Sequence, residues 1–293
     1  MKPQKSESET HNDLKSSTYR AIKSLTGVSC VEGLDTLFKI ITLVNLAKKG
    51  TNALVSRKIS ELTRWMLRDV IVKVNFKGIT YSFQCPKGYD FNIYLNPYYH
   101  EYDVVSFASS VLQKGDVFID VGAHGGLYTL LSGKIVGSRG KVIAIEPNPE
   151  NLKFLRQNVI LNKLKNIVII PKAASNRRER INLYYQMKST ALTSAIEKDE
   201  GTSKIVEAET ITIDEIADTY DSIKLLKVDT EGYDLKVLEG ACYVLPKICY
   251  VVVESNKHDI RSLLCKLSFN LTLLLPSGYL LATNKNLQKI NQV

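Results

Sequence analysis

The sequence is informative first for what it lacks. It has no run of about 20 apolar residues, the length a bilayer-spanning helix needs. Its first 19 residues are polar and contain no apolar signal core, so no secretory leader is expected. The five cysteines (Cys30, Cys85, Cys242, Cys249, Cys265) are odd in number, and no two form a C-x-x-C pair. They read as free thiols in a reducing, cytoplasmic setting, not as a disulfide framework or zinc site. The four histidines (His11, His100, His124, His258) make no H-x-x-x-H pair, so no metal is expected. Internal repeats are absent as well.

Charge is present but uneven. Residues 1–80 hold 14 Lys/Arg against 7 Asp/Glu, and the remaining 213 residues hold 25 against 23. The basic excess is a property of the front of the chain. Residues 1–18 read as a polar tail, and residues 19–69 as a helical region with patterns over 34–46 and 54–66. Those helices suit either a cap on the main domain or a basic, apolar surface for a membrane or protein partner. Residues 70–76 alternate, and Lys77-Gly78 leads into 79–83, a hairpin signature. A third strand is expected at Phe91 to Leu95, so a small antiparallel layer spans 70–100. Six aromatic residues between Tyr89 and Tyr102 suit either sugar stacking or a packed junction. A helix is expected over 101–113.

From Asp116 the texture becomes strands alternating with helices. Strands are expected at 117–121, 141–146, 166–171, 223–229 and 248–254, with helices at 127–135, 150–162 and 234–240. A closing hairpin is expected from 269–275 and 279–282, and two extra strands at 181–185 and 206–213. Such alternation gives an α/β fold: a mostly parallel seven-stranded sheet with helices on both faces, over residues 101–293.

The densest signal is Asp120-Val121-Gly122-Ala123-His124-Gly125-Gly126. An apolar strand ends in an acid, turns through glycines and opens a helix. Ligands in open α/β sheets sit beside such loops, beyond the carboxyl ends of the strands. A dinucleotide fingerprint would put glycines at positions 122, 124 and 127, but His124 and Leu127 stand at the last two. What remains is a carboxylate two residues before Gly122. It would repel a pyrophosphate and suits a cation such as the α-ammonium of S-adenosylmethionine. Glu146, with Pro147 and Asn148, ends the next strand, where an acid can take both hydroxyls of a ribose. Ala173 and Ala174 offer small residues for an adenine ring. His124 is expected to matter through its backbone.

A second acidic group, Asp229-Thr230-Glu231-Gly232, ends the fourth strand, and Glu254 ends the fifth. Asp229, Glu231 and Glu254 are the candidates for removing a proton from an acceptor. Asp229 and Glu231 also fit a helix-capping turn. The Asn-Pro-Pro-Tyr motif of enzymes that methylate base amino groups is missing at this edge, so no nucleic-acid partner is expected. On residues alone two alternatives stay open: a nicotinamide-dependent oxidoreductase, and a binding protein on a degenerate methyltransferase fold.

Taken in order, these pieces resemble the FkbM family of S-adenosylmethionine-dependent methyltransferases. The matching motifs are Asp120 to Gly126, Ile145-Glu146-Pro147-Asn148, Thr212-Ile213-Asp214-Glu215-Ile216, Leu226-Lys227-Val228-Asp229-Thr230-Glu231-Gly232, Val237-Leu238-Glu239-Gly240 and Glu254. The resemblance spans roughly residues 90–255. It implies a Rossmann-like class I methyltransferase domain, S-adenosylmethionine as donor, no metal, and O-methylation of a hydroxyl on a sugar, glycan or secondary metabolite.

Overall fold

The computed structural model describes residues 28–30, 70–85, 101–186, 189–194, 203–273 and 277–288. The chain divides into two compact units, residues 1–99 and 100–293. The tail, the helical patterns at 34–46 and 54–66, the strand at 91–95 and most of the aromatic stretch lie outside the described residues. Among the described residues no helix is long and apolar enough to cross a membrane.

In the first unit, β2 (Val70–Phe76) and β3 (Ile79–Cys85) form the expected hairpin. The turn is Lys77-Gly78, both with positive φ, 47° and 85°, which glycine tolerates without strain. Val74, Phe76, Tyr81 and Phe83 point inward and are buried, the period-2 alternation of a strand with one packed face. A strand not anticipated in the helical region, β1 (Val28–Cys30), pairs antiparallel with β2.

The second unit opens with α1 (Tyr102–Val111). Then come β4 (Val117–Val121), α2 (Leu127–Val136), β5 (Lys141–Ile145), α3 (Pro149–Leu161) and β6 (Ile167–Ile170). After an inserted segment follow β11 (Ile223–Val228), α5 (Asp234–Glu239), β12 (Ile248–Val253), α6 (His258–Lys266), β13 (Phe269–Leu273), β14 (Leu280–Asn284) and α7 (Lys285–Gln288). These build one seven-stranded sheet in the order β13-β14-β12-β11-β4-β5-β6. The run from β12 to β6 is parallel, and β14 lies antiparallel between β12 and β13. The expected sheet is therefore present. Strands buried on both faces read as unbroken apolar runs. Phe118, Ile119, Ile143, Ile145, Leu226, Val228, Val251 and Val253 are correspondingly buried.

The insertion is larger than its sequence suggests. β7 (Ala173–Ala174), β8 (Arg180–Gln186), β9 (Ser189–Ser194) and β10 (Ser203–Ile211) form a second sheet in the order β7-β10-β8-β9. A short helix, α4 (Ile213–Ala217), follows, started by a capping box between Thr212 and Glu215. Asp214 reaches across and accepts from the backbone N–H groups of Tyr243 and Val244 at 3.0 and 2.9 Å. Gly240, at the end of α5, packs so tightly that a Cβ there would stand 2.0 Å from the Ser175 carbonyl oxygen. The Thr212–Ile216 and Val237–Gly240 motifs thus clamp the insertion to the main sheet.

Candidate active site

Parallel strands in one sheet bring their carboxyl ends to one edge. The register pairs Lys227 of β11 with Asp120 of β4, and Val228 of β11 with Val253 of β12. Asp120, Asp229 and Glu254 therefore end three adjacent strands. Backbone bonds from Asp229 N–H to the Val121 carbonyl and from Glu254 N–H to the Val228 carbonyl hold them there.

The glycine loop follows β4. Gly122 has φ 76°, and a Cβ on it would stand 1.8 Å from the Asp229 carbonyl oxygen. Only glycine lets the loop lie against β11 this closely. Gly126, with φ 101°, is the N-cap of α2. His124 takes φ 50° and donates its backbone N–H to Glu146 Oε2 at 2.8 Å. Its ring is held neutral, pushed down to about 4 mainly by burial. Ala123 is buried and donates its N–H to the Ile145 carbonyl.

Asp120 is fully enclosed. Its Oδ2 accepts from Thr129 Oγ1 at 2.6 Å, while Oδ1 has no hydrogen-bond partner among the described residues and lies 3.9 Å from Lys227 Nζ. Burial raises its carboxyl above the usual range, against the pull of Lys227. Glu146 is also enclosed. Oε1 accepts from Asn148 N–H at 2.9 Å and Asn151 Nδ2 at 3.1 Å. Among the described residues three donors thus reach Glu146, fewer than the roughly four lone pairs a carboxylate offers. Burial pushes it up to about 7 even so. Asn148 also caps α3 by accepting from Glu150 N–H, with the half-buried Pro147 before it. Ala173 and Ala174 have packing roles: they pair with β10, and Ala173 sits in an apolar cluster with Leu183 and Ala208.

The second acidic group gathers as expected. Asp229, Glu231 and Glu254 each offer a carboxylate oxygen, all within 4.8 Å of one another. Glu231 stands at φ 55° in the turn before α5. That turn is closed by Asp234, which accepts from Thr230 N–H and Oγ1. The spacing would admit a cation; among the described residues the Lys227 ammonium already serves this group through Asp229.

Four partners escaped the sequence reading. Lys227 is buried, donates to Asp229 Oδ2 at 2.9 Å and lies 4.7 Å from the centre of the Tyr128 ring. Tyr279 donates its hydroxyl to the same Asp229 oxygen at 3.0 Å. Tyr128 donates to Glu101 Oε2 at 2.6 Å. Thr129 serves Asp120. Lys227 alone carried a signal: a lysine between Leu226 and Val228, near the end of a central strand, needs a buried partner.

The charges settle unequally. Burial would raise Asp229, but the Lys227 ammonium, with Tyr279 and Glu254, outweighs it and holds the carboxyl below its ordinary value. Burial works against Lys227, yet Asp229 and Asp120 keep it firmly protonated. Glu254, open to solvent at its outer edge, is pushed up to about 8 by partial burial and then by Asp229 and Glu231.

Comparison with known proteins follows this geometry. The family described as the methyltransferase FkbM domain matches residues 120–271, more than half of the chain. A probable cobalt-precorrin-6B C(15)-methyltransferase (decarboxylating) of Sulfolobus acidocaldarius is 35% identical over 82 residues, 28% of this chain and 43% of that protein. The hexuronic acid methyltransferase AglP of Haloferax volcanii is 28% identical over 191 residues, 59% of this chain and 72% of that protein. The chain thus spans less than half the length of the first relative. Among solved structures, methyltransferase FkbM of Methylobacillus flagellatus aligns with TM-score 0.43 and 16% identity over 86% of this chain and 60% of that one.

Proposed function

Because the chain belongs to the FkbM methyltransferase family, we propose that it transfers a methyl group from S-adenosylmethionine to a hydroxyl of a sugar, glycan or related metabolite. The observation that carries this reading is the convergence of a glycine loop, a buried acid behind it and a carboxyl cluster at one sheet edge. The similarity to a hexuronic acid methyltransferase supports a carbohydrate acceptor.

Bound at this edge, S-adenosylmethionine supplies a sulfonium-activated methyl group. The chain's own residues fit such a donor. Gly122 lets the loop lie against β11, Gly126 lets it turn into α2 against Leu155, and Asp120 Oδ1, without a hydrogen-bond partner among the described residues, adds negative potential behind the loop. Glu146 Oε2, with one donor from His124, has room for a ribose hydroxyl. Taking both hydroxyls requires release of a donor from Oε1. On the acceptor side, Asp229, Glu231 and Glu254 orient a hydroxyl and receive its proton.

The dinucleotide alternative finds no support in the loop, where His124 and Leu127 replace two of the required glycines. Calorimetry with S-adenosylhomocysteine checks the donor: the wild type should bind, and Glu146→Ala should bind more weakly. Absence of wild-type binding contradicts the reading. Incubation of cell extract with labelled S-adenosylmethionine and the enzyme then identifies the acceptor.

A further inference from the structure

Lys227 is the unusual residue of this edge. A fully buried ammonium is costly unless paired, and this one touches Asp229, approaches Asp120 and covers the Tyr128 ring. Asp229 Oδ2 therefore takes two donors, Lys227 Nζ and the Tyr279 hydroxyl. That oxygen is thereby filled, and the adjacent ammonium favours the Asp229 anion over its protonated form. Glu254, one strand over, reaches solvent.

We propose that Lys227 is a positioning residue of the acceptor side: it pins Asp229 as a fixed anion and so leaves Glu254 as the carboxyl that takes up the acceptor's proton. The inference rests on the methyl-transfer reading above. In the step it implies, the acceptor oxygen forms the new O–C bond. The electron pair of the breaking S–C bond stays on the donor sulfur, and the hydroxyl proton passes to the Glu254 carboxylate. Lys227 stays protonated throughout and is never the base.

The groups facing this pair come from every neighbouring element. Glu231 and Asp234 add negative charge from the turn and α5, and Asp120 adds it from β4. His124 of the glycine loop is neutral. Tyr128 of α2 and Tyr279 before β14 stay protonated, raised first by burial. Glu101, before α1, accepts from Tyr128. Lys227 is thus the cation on which the balance turns.

The test is carboxyl-carbon NMR titration of the full chain labelled at Asp and Glu side chains, without donor or acceptor. Signals are assigned by their loss in Glu254→Gln and Asp229→Asn. The wild type should show Glu254 half-titrated near pH 8 and Asp229 ionised far below that. Lys227→Met should raise the Asp229 midpoint by about one pH unit or more, because a unit charge 2.9 Å away is worth that much at an intermediate effective dielectric. Tyr279→Phe should move Asp229 in the same direction by less, and reads the pinning alone if Lys227→Met does not fold. Asp229 titrating near pH 8 in place of Glu254 overturns the proposal. So does an unmoved Asp229 midpoint in folded Lys227→Met or in Tyr279→Phe. Calorimetry of the wild type with S-adenosylhomocysteine separates the two readings. Absent binding sinks the methyl-transfer reading, whereas binding with an unmoved Asp229 midpoint sinks the role of Lys227 alone.

Discussion

The proposed donor side and the proposed acceptor side of this sheet edge are built on opposite plans. On the donor side, Asp120 and Glu146 are enclosed, and most of their partners are backbone N–H groups or short neutral side chains. Position there is fixed by chain path, down to a glycine with no room for a methyl group. On the acceptor side, Asp229, Glu231 and Glu254 crowd one another, and one ammonium and one phenol both engage Asp229. The first is a matter of backbone geometry, the second of charge balance. The first should be brittle toward added atoms, the second toward altered charges.

Gly122→Ala should break the donor side most severely. Its Cβ would meet the Asp229 backbone oxygen at 1.8 Å in a left-handed conformation. A loss of roughly 4 kcal/mol or more of stability is expected, with no S-adenosylhomocysteine binding in any folded fraction, as thermal melts and calorimetry would show. Glu254→Gln should leave that binding intact and reduce methyl transfer by roughly 100- to 10,000-fold, the usual weight of a general base. Labelled-methyl incorporation measures it.

The pH profile sharpens the same contrast. Glu254 must be ionised to accept a proton, and it sits near 8. Transfer should therefore rise about tenfold per pH unit from neutrality and level off above 8, a rise absent from whatever activity remains in Glu254→Gln. Glu146→Ala removes a charged acceptor from the donor side and should weaken S-adenosylhomocysteine binding by roughly 10- to 100-fold. Thr129→Val is the mildest change. It leaves a second Asp120 oxygen without its donor and should cost about 1–3 kcal/mol, read in the melting temperature, with donor affinity altered only a few-fold.

The glycine loop and the acids around it were legible in the sequence because backbone geometry leaves glycine and strand-end acids at fixed spacing. Asp120, Gly122, Gly126 and Glu146 all stood out in this way, as did five parallel strands with their boundaries nearly in place. The acceptor acids were legible as residues but not as a hierarchy. Which of them ionises depends on Lys227 and on Tyr279, which lies fifty residues from Asp229. No local pattern reports that distance. The insertion was half legible. The strands β8 and β10 alternate, whereas β7 is two alanines with no strand pattern of their own, paired with β10. The helix α6 was missed because its buried residues, Ile260 and Leu264, make a single short stripe.

Calorimetric titration with S-adenosylhomocysteine of the wild type, Glu146→Ala and Glu254→Gln, side by side, tests most directly the claim that the two sides are separate. The account predicts binding in the wild type, clear weakening in Glu146→Ala, and unchanged affinity in Glu254→Gln. Equal loss in both variants, or no binding by the wild type, would contradict it.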